Sequence, residues 1–436
     1  MRRSFILLAG AAVVAGGAAI IGGDDSAPAA SLGGTPLLAG APVATTASAA
    51  PPSEVARFTA LGDDDDAKPA TSAARRAAKS PLGSLIDLDK IERIGDTYEA
   101  PLADGRRAQL TLDPELQPLA EKLLNESRAP RGAIVVMHPD GRVLALAGRR
   151  TEEPKGSREG TFDWRLATDV WAPAASVFKI VTASALVGAG VDGDDKVCFH
   201  GGVRSVMESN LVDHKRDSRC ESLAFGLAHS NNAILGKLAY QKLPPEQLDR
   251  MARTLGLTSA LPGKELPGNA GEMEIPTTRD LAYAKTAAGF QGSRLSAAGG
   301  ALLAATIADG GNQPVPHLIA SIDGTPVPTP KPRRAISEAM AREVAEMMVG
   351  TCDSGSAAKI FNKGSRTYKV AGKTGTLSRT EPFFMEHSWF VGFAPVDRPE
   401  VIVSVLLGNP ESWHLRGHEA AKRLIERALR NKRAKS

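Results

Sequence analysis

An α+β fold is predicted by three features of this 436-residue sequence. Two short apolar runs, GAIVVM and VLALAG, flank the turn His138-Pro139-Asp140-Gly141. Three more β runs, within 368–376, 387–396 and 400–408, follow one another across Gly, Pro and Asp turns. Between the two groups the chain reads mainly as helix and loop. The prediction is a five-stranded antiparallel sheet, its early and late strands brought together around a helical subdomain, with flanking helices on its faces.

The elements can be justified in order. After Arg2 and Arg3, twenty uncharged residues run from Ser4 to Gly23, and Asp24 and Asp25 follow. As helix this is about 30 Å, enough for a bilayer, and the flanking charges predict an N-inside signal anchor over 1–23. A cleaved signal peptide is the alternative, since SAPAA at 26–30 offers small residues. No cysteine of a lipid-attachment signal follows the run. Residues 24–88 are rich in Ala, Pro, Ser and Gly, with an acidic run at Asp63–Asp66. Lacking apolar periodicity, they predict a disordered tether, about 40 Å in mean span. A short lead-in over 89–109 precedes the main domain, 110–436.

That domain opens with a helix capped by Asp113, with Pro114 in its first turn and Leu116, Leu119, Ala120, Leu123 and Leu124 on one side. A second apolar helix begins around Ser176. Residues 221–240 read as helix on both sides of a polar break, His229-Ser230-Asn231-Asn232. A last helix from about 415 to 430 places Ala420, Leu424, Ile425 and Ala428 together, opposite charged residues.

The net charge of +4 is mild and its charges are interspersed, with no basic stripe between aromatics. This excludes a nucleic-acid-binding class. Of three cysteines, Cys198 and Cys220 bracket a polar segment that one disulfide would staple in an oxidising compartment, leaving Cys352 free. Three separate buried thiols are the alternative. His200 and His214 lie between them in no zinc spacing, so neither metal nor cofactor is expected.

Three short motifs carry the chemistry. Ser176-Val177-Phe178-Lys179 sets a hydroxyl and an amine one turn apart. Read blandly, Ser176 is a helix cap and Lys179 snorkels outward; read chemically, a desolvated Lys179 is a base for a serine nucleophile. Ser230-Asn231-Asn232 adds a hydroxyl and two amides at a helix break, or simply a cap. Lys373-Thr374-Gly375-Thr376 ends a β run, its glycine leaving room for a substrate backbone, or simply ends a strand.

Together, S-x-x-K, S-x-N and K-T-G in this order resemble the signature of penicillin-binding proteins and the related β-lactamases. From about Leu110 to Leu429 the chain is similar to a penicillin-binding protein transpeptidase domain. LTLDPELQ at 110–117, GFQG at 289–292, ATIADGG at 305–311 and WFVGFAPVDRPEVIVSVLLG at 389–408 add to the likeness.

The resemblance implies a β-lactamase-like fold and a serine D,D-transpeptidase that cross-links peptidoglycan stem peptides and is acylated by β-lactams. It implies Ser176 as nucleophile and Lys179 as base. Ser230 and Asn232 would relay protons and hold the substrate amide, and Lys373 would keep the site electropositive. Thr374, Gly375 and Thr376 would line the carboxylate site, the Ser176 and Thr376 amides forming the oxyanion hole. Such a domain would work outside the cytoplasm, held to the membrane by its anchor. With no room before it for a glycosyltransferase domain, a glycan-polymerising partner is implied. D,D-carboxypeptidase, penicillin-binding sensor or scaffold, and β-lactamase are the alternatives; for the last, no E-x-x-L-N segment follows the second motif. Two positions depart from the common pattern: Ala175 stands where glycine often precedes the nucleophile, and His387 where an acidic residue is frequent.

Overall fold

The computed structural model describes residues 86–151, 153–202, 205–364, 366–381 and 383–435. The anchor expected over 1–23, and the tether up to residue 85, lie outside the described residues. Among the described residues no helix is long and apolar enough to cross a membrane.

Ordered packing begins earlier than expected. Ile86 bridges to Leu102, and β1 (Glu92–Ile94), β2 (Thr97–Pro101) and β3 (Arg107–Leu110) form an antiparallel meander. The strand Ile319–Ile322 pairs with β3 and then with Thr325–Pro326, giving a five-stranded sheet separate from the central one. The segment expected as a lead-in is therefore part of the fold, and it buries Tyr98, Ala100, Leu102 and Ala108.

The next helix, α1 (Leu116–Ser127), is capped as expected: Asp113 Oδ1 accepts from the amides of Glu115 and Leu116 at 2.9 and 3.0 Å. β4 (Arg131–Met137) and β5 (Val143–Arg150) follow, joined through the predicted turn, where Gly141 takes a φ of +97°. A two-residue strand, β6 (Thr161–Phe162), extends the sheet beyond β5.

The helical part begins with α2 (Lys179–Gly188), entered through a 3-10 turn at Ala175–Phe178. The hairpin of β7 (Lys196–Phe199) and β8 (Arg219–Ser222) is closed by a disulfide between Cys198 and Cys220. Then come α3 (Leu223–Ala228), α4 (Asn232–Lys242), the almost wholly buried α5 (Ala297–Ala308) and α6 (Glu338–Asp353).

The chain ends with β9 (Ala371–Arg379), β10 (Met385–Ala394), β11 (Val401–Asn409) and α7 (Gly417–Lys435). The central sheet runs β9-β10-β11-β4-β5-β6, antiparallel throughout. It holds the five expected strands plus β6, which two residues are too few to announce. Alternation sorts side chains between two apolar layers: Ile134 and Val136 join Leu123, Leu124, Leu424 and Ile425, while Ala133, Val135 and Met137 join α5. Gly300 lets α5 approach the sheet, since a Cβ there would lie 2.7 Å from Ser404 Oγ. Strand β9 is the edge strand nearest the helical part, and its exposed edge is where the motifs meet.

Candidate active site

The turn carrying Ser176 is strained and enclosed. Ala175 has a φ of +48°, in the left-handed region, which costs a residue with a Cβ about 1–2 kcal/mol. Glycines on two sides make this possible. A Cβ on Gly289 would lie 2.1 Å from the Ala175 carbonyl oxygen, and one on Gly375 would lie 3.3 Å from Ala175 Cβ and 3.4 Å from the Ser176 nitrogen. The strand stretch 375–376 is thereby drawn alongside the Ser176 amide. Ser176 makes no capping hydrogen bond, so it is not a helix cap.

Lys179 does not snorkel outward: it is completely buried. Its Nζ donates to the Asn232 Oδ1 at 2.5 Å and to the Ser230 carbonyl at 3.1 Å, and lies 2.9 Å from Ser176 Oγ and 3.1 Å from Ser230 Oγ. Burial, with Lys373 beside it, holds this amine well below the usual lysine range. A neutral amine has two N–H donors and one lone pair. In that form, hydrogen bonds to the carbonyl oxygens of Ser230 and Asn232 would use both hydrogens and leave the lone pair for a hydroxyl.

Ser230 is the second residue here with a left-handed φ, +56°. That conformation breaks the chain between α3 and α4. Asn231, not Ser230, caps α4, its Oδ1 accepting from the Ile234 amide at 3.1 Å, and both Asn231 and Asn232 are buried rather than exposed. From β9, Lys373 Nζ donates to Ser230 Oγ and to the Thr374 carbonyl, both at 2.9 Å. Burial brings Lys373 down to about 7, so it is not a permanent cation.

A cleft of about 670 Å³ opens over these groups, lined by Ser176, Ser230, Asn232, Thr374, Thr376 and Glu386 among others. Three more residues join the lining, of which only Ser356 lies outside the stretches singled out in the sequence. Ser356, after α6, has its Oγ 2.5 Å from Thr374 Oγ1. His229 stacks on Phe225 with ring centroids 4.1 Å apart, and burial lowers its basicity. Phe290 lies in the stretch Gly289–Gly292 that also supplies Gly289. An adjoining cleft of about 590 Å³ shares Ser356, Thr374, Thr376 and Glu386 and continues to Trp413 and Arg416.

His387 lies behind β9, buried, with Nδ1 3.1 Å from the Leu377 carbonyl and its ring tilted against Trp171. Burial pushes it to about 4, so it stays neutral. The pair Cys198 and Cys220 lies away from the cleft lining, on the β7–β8 hairpin. Cys352 is a buried free thiol, pushed up by burial. Among the described residues no group of three or more His, Cys, Asp or Glu side chains is placed to hold a metal ion.

Residues 132–429 match the family of the penicillin binding protein transpeptidase domain. The chain is 26% identical over 376 residues to the peptidoglycan D,D-transpeptidase PbpA of Mycobacterium tuberculosis, covering 78% of this chain and 75% of that one. It is 26% identical over 361 residues to the stage V sporulation protein D of Bacillus subtilis, covering 77% of this chain and 54% of that one. Among solved structures, penicillin-binding protein A of M. tuberculosis superposes with a TM-score of 0.60 at 24% identity, over 74% of this chain and 83% of that one. Its ceftriaxone acyl-enzyme complex gives 0.59 at 23% identity, over 75% and 80%.

Proposed function

The chain belongs to the penicillin-binding protein transpeptidase domain family, and from that premise we propose that it is a peptidoglycan D,D-transpeptidase working through an acyl-enzyme on Ser176. One observation carries the reading. The buried Lys179 amine stands within 3.1 Å of the hydroxyls of both Ser176 and Ser230.

In this reading Lys179 takes the Ser176 proton as Oγ attacks the carbonyl of the penultimate D-alanine. The oxyanion is received by the Ser176 and Thr376 amides, the largest electrostatic contribution to such a reaction. The proton passes through Ser230 to the leaving nitrogen, the C–N bond breaks, and the terminal D-alanine departs. Lys373, when protonated, attracts the terminal carboxylate, which Thr374 and Thr376 hold by their hydroxyls. Gly375 leaves the edge of β9 open, so the substrate backbone can lie along it as an added strand. Asn232 holds Lys179 and the substrate amide. An amine of a neighbouring stem then attacks the ester, gives its proton back along the same path, and frees Ser176 with the cross-link made.

The disulfide suits a domain outside the cytoplasm, and a membrane anchor over 1–23 with a glycan-polymerising partner completes the proposal. Two measurements test it. A labelled β-lactam should attach to Ser176 and not to the S176A variant; equal labelling of both would remove the nucleophile. Mass spectrometry of products from a stem pentapeptide, with and without an acceptor amine, should show a cross-linked dimer. Loss of D-alanine alone in both samples would make it a carboxypeptidase, and hydrolysed β-lactam with no peptide product a β-lactamase.

A further inference from the structure

The hairpin β7–β8 and the described part of the loop it carries pack against α4, which bears Asn232. The carbonyl of Gly202 accepts from the amides of both Asn232 and Ala233, at 3.2 Å each. These are the first two amides of α4, which have no partner within their own helix. Asn231 satisfies the third, that of Ile234. The approach is close: Gly202 has a φ of +71°, and a Cβ on it would fall 2.1 Å from Ala233 Cβ.

A second tie joins the same two elements. Lys237, on α4, is completely buried, and its Nζ donates to the Cys198 carbonyl at 2.9 Å and to Asp217 at 2.8 Å, with Asp213 at 2.9 Å. Asp217 in turn is 2.5 Å from His200 Nδ1. Cys198 and Cys220 face each other in register across the hairpin and are covalently joined. The loop thus grips α4 at its first turn and at Lys237, and its own ends cannot part.

We propose that this disulfide-closed loop is a positioning device for Asn232, with the Gly202 carbonyl as its contact point and Lys237 as its tie. The inference rests on the reading of Lys179 and Asn232 given above. Asn232 meets Lys179 at 2.5 Å, so a small displacement of the first turn of α4 withdraws the acceptor that orients the amine. Positioned groups of this kind lose much of their effect over displacements of about 1 Å. Lys237 and Gly202 touch neither the cleft nor Lys179, and act only through α4.

A double-mutant cycle on the full chain tests this, read as the rate of acylation by a labelled β-lactam, with the folded state checked by circular dichroism. The variants are N232A, G202A, the pair C198A/C220A, and each of the latter two combined with N232A. N232A and G202A should each acylate tenfold or more slowly, and adding G202A or C198A/C220A to N232A should cost nothing further, because the loop acts through that side chain. If G202A does not fold, C198A/C220A reads the same cycle. Parent-like rates in G202A and C198A/C220A alongside a slow N232A would overturn the positioning role alone. Additive losses would also overturn it, as a general structural effect. A parent-like N232A would overturn the reading of Asn232 itself, and this inference with it.

Discussion

Lys179 and Lys373 share one hydroxyl: the Ser230 Oγ is 3.1 Å from the first amine and 2.9 Å from the second. Two buried amines on one hydroxyl disfavour double protonation, by desolvation and by mutual repulsion. Lys179 is held well below the usual lysine range, and Lys373 lies at about 7. Where Lys179 has lost its proton and Lys373 has kept its own, the site holds a neutral amine and a cationic one together. Ser230 Oγ thus links the two amines through one hydroxyl.

The pH dependence of β-lactam acylation should therefore be bell-shaped. The second-order rate reports groups of the free enzyme. It should rise as Lys179 gives up its proton, and fall through about 7 as Lys373 loses its charge. In K373M the falling limb should vanish from a lowered rate. A parent profile that is flat above neutrality, or a K373M variant that keeps the falling limb, contradicts the assignment of the two amines.

His387 makes a prediction about stability. Its ring lies at about 4 in the folded chain, against about 6.5 when unfolded. Between these values the unfolded chain binds a proton that the folded chain refuses. The stabilisation is therefore complete above about 6.5 and lost as pH falls towards 4, by on the order of 3 kcal/mol. Urea unfolding of parent and H387Q at pH 7 and pH 4 should show a smaller drop for the variant. Equal drops would mean that the imidazole is not held neutral.

The turn before Ser176 separates two kinds of substitution. A175G relieves the left-handed φ but adds freedom to the unfolded chain, by about 0.5–1 kcal/mol, so stability should change by less than about 1 kcal/mol. G289A should do far more, because its Cβ meets the Ala175 carbonyl at 2.1 Å and its own φ is +84°. Acylation should fall at least tenfold, about 1.4 kcal/mol of activation free energy. A G289A variant acylating like the parent would show that the turn can relax without moving Ser176.

What could be read from sequence depended on how local the signal was. The three motifs, the α1 cap and the short apolar runs of the central sheet are each set by residues a few positions apart. Ser356 was missed because it sits in a polar loop whose only distinction is what it packs against: its amide reaches the Ala228 carbonyl. The reduced charge on Lys373 comes from burial that no pattern along β9 announces. Nothing along α4 marks Lys237, yet it is completely buried against Cys198 and Asp217. The sheet of β1–β3 escaped notice because its closing partner is far along the chain: Ser321 meets Gln109 across 212 residues.

That small sheet leads to the last prediction. A chain beginning at Ser84 keeps Ile86 and Leu88, the first buried apolar residues described, and should acylate within about tenfold of the full-length rate. One beginning at Thr111 loses β1–β3 and with them the buried side chains of Tyr98, Leu102 and Leu110. It also loses Asp89, whose carboxylate accepts from Trp164 Nε1 at 2.9 Å and from Arg165 at 2.5 Å. The edge of Ile319–Ile322 would be left unpaired, inviting association with other chains. Full burial of each large apolar side chain contributes about 1.5–3 kcal/mol, so the shorter chain should melt at least about 5 °C lower and aggregate on heating. Thermal unfolding of the two truncated chains beside the full-length protein decides the matter. Equal midpoints would mean that β1–β3 only rest on the domain, and a loss in the Ser84 chain would place structural support before residue 84.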